Sequence, residues 1–189
     1  MPQFTSQNFH RLCDDLAAKD VQLNRILHEY GYPPFWTRPN TFETLVLTIL
    51  EQQVSLASAY AAYQRLKQKL PQITPDALLK LTDEELRSCS FSRQKMVYVR
   101  ELAIAIQSKR ISLKRMAKEE DEVVRRELKT LKGIGDWTVD IYLLHALQRT
   151  DIFPLGDLAL VNAIRMINDR QLTKEEIQEL GENWRPYRS

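Results

Sequence analysis

The sequence predicts an all-α fold. Three observations carry that prediction. Apolar residues recur at spacings of three and four, helix-capping residues stand repeatedly in front of them, and alternating β-branched stretches are missing. The chain has 189 residues, of which 43% are hydrophobic, so it can bury a real core in one large domain or two small lobes.

The elements follow in chain order. Gly31 to Pro39 holds three prolines and reads as an irregular connector. Asn40 with Glu43 offers a cap and a carboxylate three residues on, ahead of a stripe of Phe42, Leu45, Val46, Ile49 and Leu50. Ser55 opens an alanine-rich helix that stops before Pro71. Thr74 followed by Pro75, and Thr82 with Glu85, start two more helices. Leu102, Ala103 and Ile106 mark another stripe. Asp121 to Leu131 reads as a helix with Val124, Leu128 and Leu131 on one face, and Trp137 to Leu147 as its successor, with Asp136 at its start. Asp157 suits the cap of a helix from Leu158 to Ile167, and Thr173 with Glu176 opens the last one.

Composition excludes several classes. The longest apolar run, Leu45 to Leu50, is broken by Thr48 and falls far short of the roughly 20 residues of a membrane span. The start, MPQFTSQNFH, lacks the regions of a secretory signal. Cys13 and Cys89 alone cannot supply a disulfide scaffold, a four-cysteine zinc site or a four-cysteine iron–sulfur cluster. Both read as reduced thiols in a cytosol-like compartment. Net charge is only +2, but the charge is segregated. Arg93, Lys95, Arg100, Lys109, Arg110, Lys114, Arg115 and Lys118 crowd one stretch where Glu101 alone opposes them. Such a stretch reads either as a phosphate-binding face or as a solvated helix surface.

The glycines narrow the choice. Of five, Gly133, Gly135 and Gly156 fall close together. Gly133 and Gly135 sit between two helices, where the missing side chains would let a foreign backbone approach. The N–H groups of the following helix start favour an anion such as a phosphate. An ordinary tight helix–helix turn would use the same glycines.

Leu131-Lys132-Gly133-Ile134-Gly135-Asp136-Trp137-Thr138 resembles the hairpin of the helix-hairpin-helix/GPD DNA glycosylase superfamily, and Phe153-Pro154-Leu155-Gly156-Asp157 resembles its Gly/Pro loop and aspartate. Trp137, and the twenty residues from it to Asp157, resemble the alkylpurine branch of DNA-3-methyladenine glycosylase II type. So do Leu50-Glu51-Gln52-Gln53-Val54-Ser55, similar to the branch's duplex-probing loop, and Asn183-Trp184-Arg185-Pro186-Tyr187-Arg188-Ser189, similar to its C-terminal signature. The resemblance runs from about Pro33 to the last residue.

It implies two helical lobes, residues 41–149 forming a barrel that contains the hairpin at about 121–147, and 1–40 packing with 150–189. A cleft between them would hold an extruded base. The implied activity is monofunctional excision of alkylated purines, of the 3-methyladenine or 7-methylguanine type, from double-stranded DNA in base excision repair. Asp157 would stabilise the positive charge that develops on the sugar and orient or deprotonate a water. Related enzymes with lyase activity carry a lysine on the second hairpin helix, where Trp137 stands here; Lys132 precedes the glycines. The base-pocket candidates are Trp137, Trp36, Phe35 and Tyr142, since cationic alkylated purines favour aromatic faces. The DNA-binding candidates are Gly133, Ile134, Gly135, Thr138, Arg93 and Lys95, with Gln53 as the wedge that fills the hole left by the base. No cofactor is required. A sodium, potassium or magnesium ion at the hairpin is implied, held by the main-chain carbonyls of Lys129, Leu131 and Ile134. The chain is expected to act as a monomer, away from membranes, in a bacterial cytoplasm or a eukaryotic nucleus. Relatives continue past the C-terminal signature into another helix that walls the pocket; this chain stops at Ser189. Two rivals remain: a bifunctional glycosylase/lyase of the same superfamily, and a helix-hairpin-helix module that binds DNA without chemistry. Asp157 argues against the second, because a pure binder has no use for it.

Overall fold

The computed structural model describes residues 2–189. They form twelve helices and no strand; the only extended pairing among them is a single antiparallel bridge between Gln3 and Arg149. No helix is long and apolar enough to cross a membrane among these residues. The chain divides into two compact units, Arg38–Tyr142 and the pair of segments Met1–Thr37 and Leu143–Ser189.

The contiguous unit is built around α3 (Phe42–Glu51). Its apolar stripe is buried, but so are Thr44 and Thr48, so this helix is enclosed on most sides. Enclosed threonines need partners. The Thr48 hydroxyl donates to the Thr44 carbonyl at 3.0 Å, and that of Thr44 to Pro39 at 2.6 Å. The cap is Thr41, not Asn40, because the Asn40 side chain is drawn elsewhere: it donates to the Leu113 carbonyl and accepts from the Tyr142 hydroxyl. Helices α4 (Leu56–Lys69), α5 (Pro75–Leu79), α6 (Asp83–Ser88), α7 (Arg93–Gln107), α8 (Leu113–Met116), α9 (Asp121–Leu128) and α10 (Asp136–His145) complete the order. Ser55 and Thr74 cap α4 and α5, and Thr82 and Glu85 form a full capping box on α6. The first hairpin helix ends at Leu128, three residues earlier than the spacing predicts. Lys129 to Leu131 turn instead, with the Leu131 N–H returning to the Leu128 carbonyl at 3.0 Å.

The second unit joins both ends of the chain. Helices α1 (Phe9–Ala17), α2 (Val21–Tyr30), α11 (Leu158–Asn168) and α12 (Lys174–Glu182) surround Val161, Ile164, Leu172, Ile177 and Trp184. Residues 143–149, placed in the barrel segment by the sequence reading, belong here. Phe4 donates its N–H to Gln148 at 2.7 Å, the Gln148 side chain reaches the Trp36 carbonyl, and Gln3 reaches Leu147. The C-terminal signature closes the same unit. Trp184 donates its indole N–H to Asp20 at 2.8 Å and stands edge-on to Phe153. Arg185 and Arg188 both bind Asp151, at 2.7 and 2.6 Å, and Ser189 accepts from the Ile152 N–H.

Candidate active site and nucleic-acid interface

Asp157 is the N-cap of α11. Its Oδ1 accepts the N–H groups of Ala159 at 2.9 Å and Leu160 at 3.2 Å, so one oxygen satisfies two donors that a helix start leaves open. The preceding loop is fixed from behind. Phe153 lies against Gly181, where a Cβ would fall 2.6 Å from its ring, and the Arg185–Asp151–Arg188 cluster holds the strand of chain just before it. The half-buried carboxylate is therefore placed by backbone geometry, a prerequisite for preorganised electrostatics.

In the other unit the hairpin is built on α7. Gly133 has φ +84, a region that favours glycine, and the ring of Tyr98 occupies the space a Cβ would need. One turn on, Glu101 accepts the Lys132 N–H at 3.2 Å. Lys129 on one side of the hairpin and Asp136 on the other form a 2.6 Å ion pair. Arg125 and Asp140 join α9 to α10; burial pushes the Asp140 carboxyl up against the opposing pull of that guanidinium. Gly135 is exposed and open, with nothing within 4 Å of an added Cβ. The N–H groups beginning α10 have no intrahelical acceptor by construction, which leaves this edge suited to a phosphate.

Several candidates sit differently from their assigned roles. Ile134 is buried and its N–H goes to Leu131, so it is hairpin packing and no anion donor. Thr138 is buried and its hydroxyl accepts from Gln52, which turns it from DNA toward the protein. Lys95 directs its ammonium to the Leu50 carbonyl at 2.7 Å, capping the end of α3; burial lowers its pKa. Arg93, the first residue of α7, is exposed. The basic stretch does not form one cationic face, because acids from outside it reach in: Asp83 pairs with Arg100, and Glu119 and Glu127 with Arg115, while Glu101 takes Arg110.

The aromatic candidates also separate. Tyr142 is fully buried and bonded to Asn40, a core residue that offers no face to a base. Phe35 packs on Phe9 with ring centroids 5.0 Å apart. Trp36 is 67% exposed and Trp137 is half-buried at the start of α10. Gln53 is exposed in the turn between α3 and α4, at φ +56. A non-glycine residue held there stores strain of order 1–3 kcal/mol, a feature of functional turns. Sequence reasoning assigns no role to Tyr98, takes Glu101 only as an opposing charge, and includes Gln52 only within the Leu50–Ser55 segment. Their roles are contacts to the hairpin from distant segments, which neither periodicity nor spacing reveals.

For a cation, the described residues contain no group of three or more His, Cys, Asp or Glu side chains that could hold one. The carbonyls of Lys129, Leu131 and Ile134 remain as oxygen donors of the kind hard cations take, and that of Leu131 already accepts the Ile134 N–H at 3.2 Å.

A glycine hairpin between two helices, followed in the chain by a loop whose aspartate caps the next helix, defines a protein of the helix-hairpin-helix class. The chain belongs to the HhH-GPD superfamily of base excision DNA repair proteins, whose family model matches residues 46–186. It is 27% identical over 192 residues to a DNA-3-methyladenine glycosylase of Saccharomyces cerevisiae, covering 92% of this chain and 65% of that one. Its fold matches the crystal structure of a DNA-3-methyladenine glycosidase from Bacillus halodurans with TM-score 0.81 and 29% identity, over all of this chain and 88% of that one. It also matches the Schizosaccharomyces pombe 3-methyladenine DNA glycosylase Mag1, solved in complex with abasic DNA, with TM-score 0.86 and 26% identity, over 94% of this chain and 91% of that one. The chain spans 62% and 65% of the length of two curated relatives it matches.

Proposed function

We propose that this protein is a monofunctional DNA glycosylase that removes alkylated purines from duplex DNA. The observation that carries the reading is the anchoring of Asp157 by two backbone N–H groups at the start of α11, in a chain of this family. The chemistry follows from the bond to be broken. Cleavage of the bond between the sugar C1′ and the purine nitrogen leaves positive charge on the sugar, and the electron pair departs with the base. Alkylation at a ring nitrogen has already made that base a good leaving group. The Asp157 carboxylate stabilises the sugar cation; a water adds to C1′ and releases its proton.

Double-stranded DNA is the proposed partner. Gly133, Gly135 and the N-terminal edge of α10 would hold a phosphate without reading sequence, Gln53 would enter the stack, and Arg93 would add a cation. With Tyr142 in the core, Trp137, Trp36 and Phe35 are the aromatic candidates left to meet a base. The carbonyls of Lys129, Leu131 and Ile134 would hold a sodium, potassium or magnesium ion, which supplies a further positive charge for the phosphate. Trp137 stands where a Schiff-base lysine would be needed, so the product is an intact strand with an abasic site.

The test is incubation with duplex DNA containing 7-methylguanine or 3-methyladenine, with released base measured under single-turnover conditions. Free base should appear, the strand should break only after alkali, and borohydride should trap no adduct. Asp157→Asn should lower the rate by about 100-fold or more. An Asp157→Asn rate near that of the unaltered protein removes the assignment, and a trapped adduct removes the mechanism.

A further inference from the structure

Two segments proposed to meet DNA, the Gln53 turn and the glycine hairpin, lie far apart in sequence, and one side chain joins them. The Gln52 amide nitrogen donates to the Gly133 carbonyl at 2.8 Å and to the Thr138 hydroxyl at 2.9 Å. Both of its N–H bonds are thereby used, one on the hairpin and one on the first turn of the helix that follows.

The backbone explains how this is compatible with an exposed neighbour. Gln52 ends α3 in an extended conformation, φ −60 and ψ 124, and Gln53 then turns left-handed. The two glutamines separate: Gln52 is half-buried and reaches the hairpin, while Gln53 is exposed. The turn is held on its other side by Lys95, which binds the Leu50 carbonyl. Tyr98, one turn along the same helix, lies under Gly133. The hairpin and the turn therefore share supports, and Gln52 is the direct link.

We infer that Gln52 is a positioning residue that couples the Gln53 turn to the Gly133–Gly135 hairpin, so that entry into the duplex and grip on the phosphate occur at a fixed separation. The inference rests on the reading that these two segments engage DNA. Without the two hydrogen bonds the hairpin still binds backbone, but the wedge loses its register to it. Selectivity for a site with a missing base should fall while general affinity persists.

The experiment measures binding of the full chain to two duplexes, one intact and one carrying a tetrahydrofuran abasic-site analogue, together with thermal melting. The unaltered protein should prefer the abasic duplex. Gln52→Ala should lose about tenfold of that preference, the size expected for two part-buried hydrogen bonds, with intact-duplex affinity changed by less than about twofold. Gln52→Met keeps the bulk without the donors and should behave alike, which covers the case that the alanine variant fails to fold. Retained preference in a folded variant overturns the inference. So does equal weakening on both duplexes, the signature of a merely structural role, or no preference in the unaltered protein. Base release is measured separately. If the unaltered protein releases no alkylpurine while Gln52→Ala still loses the preference, the substrate reading fails and the coupling stands.

Discussion

The ring of Tyr98 fills the volume beside Gly133 that a β-carbon would require, with ring atoms 2.2 Å from the ideal position. The hairpin glycine is thus fixed by two independent demands, since its φ of +84 already disfavours other residues. Gly133→Ala should lower stability by about 2 kcal/mol or more, read as a fall in denaturation midpoint. Gly135→Ala, in open space, should melt within about 0.5 kcal/mol of the unaltered protein and yet bind duplex DNA more weakly, because its methyl group stands on the edge offered to the backbone. Equal stability losses at the two glycines would refute this division.

Asp157 combines a structural and a proposed chemical task, and two substitutions separate them. Asparagine caps a helix about as well as aspartate, so Asp157→Asn should keep its melting temperature while losing base release. Asp157→Ala should lose both, with about 1 kcal/mol of stability gone as the Ala159 and Leu160 N–H groups lose their acceptor. Calorimetry of the two variants side by side decides it.

Gly181→Ala inverts a familiar expectation. Alanine in a helix interior normally stabilises by up to about 1 kcal/mol. Here the added methyl meets the Phe153 ring at 2.6 Å, and that ring is held by Trp184. The variant should therefore be less stable. Because Phe153 opens the loop to Asp157, its base-release rate should fall as well.

Gln53→Gly should trade function for stability. Removing the side chain relieves the left-handed strain at φ +56, and melting temperature should stay level or rise. Preference for damaged over intact duplex should drop with the loss of the wedge. A variant that melts earlier would mean that Gln53 makes folded-state contacts that outweigh the strain.

The Tyr63–Glu43–Lys67 cluster sets a pH window for stability. Burial, then the hydrogen bond to Glu43 and its charge, push the Tyr63 hydroxyl from 10.0 up to about 12. A pKa raised by folding contributes stability that is complete below the unfolded value and lost as pH rises through the folded one, here between 10 and about 12. Glu43 is also pushed up by burial, but the bonds from Tyr63 and Lys67 outweigh it and hold the carboxyl below 4.5; its share is lost as pH falls beneath that value. Tyr63→Phe should flatten the alkaline fall in melting temperature. An unchanged alkaline limb would exclude Tyr63 as its source.

The sequence made the helices legible because capping and periodicity are local. The Thr82–Glu85 and Thr173–Glu176 boxes form as the spacing predicts, and the connector from Gly31 to Pro39 is irregular. It misplaced what distant segments decide. Asn40 looks like a cap until Leu113 and Tyr142 claim its side chain. Lys95 and Thr138 look like DNA contacts until the Leu50 carbonyl and the Gln52 amide claim theirs. Asp157 and the two hairpin glycines could be found because a tight turn and a helix start leave short signatures. Gln52 could not, because a strut is defined only by what stands at its far end.

The pairing of both chain ends in one unit has a consequence for synthesis. Segment 38–142 is contiguous and can close its core as it leaves the ribosome. Helices α1 and α2, made before the rest of their unit, have to wait for α11 and α12 through roughly 130 intervening residues, about 6–25 s at ordinary translation rates. During that interval Leu16 and Leu23 lack the partners they pack on in the α11–α12 core, and this nascent segment offers apolar surface to chaperones. The unit proposed to hold DNA would mature before the unit that carries Asp157, so an incomplete chain would bind duplex without releasing a base.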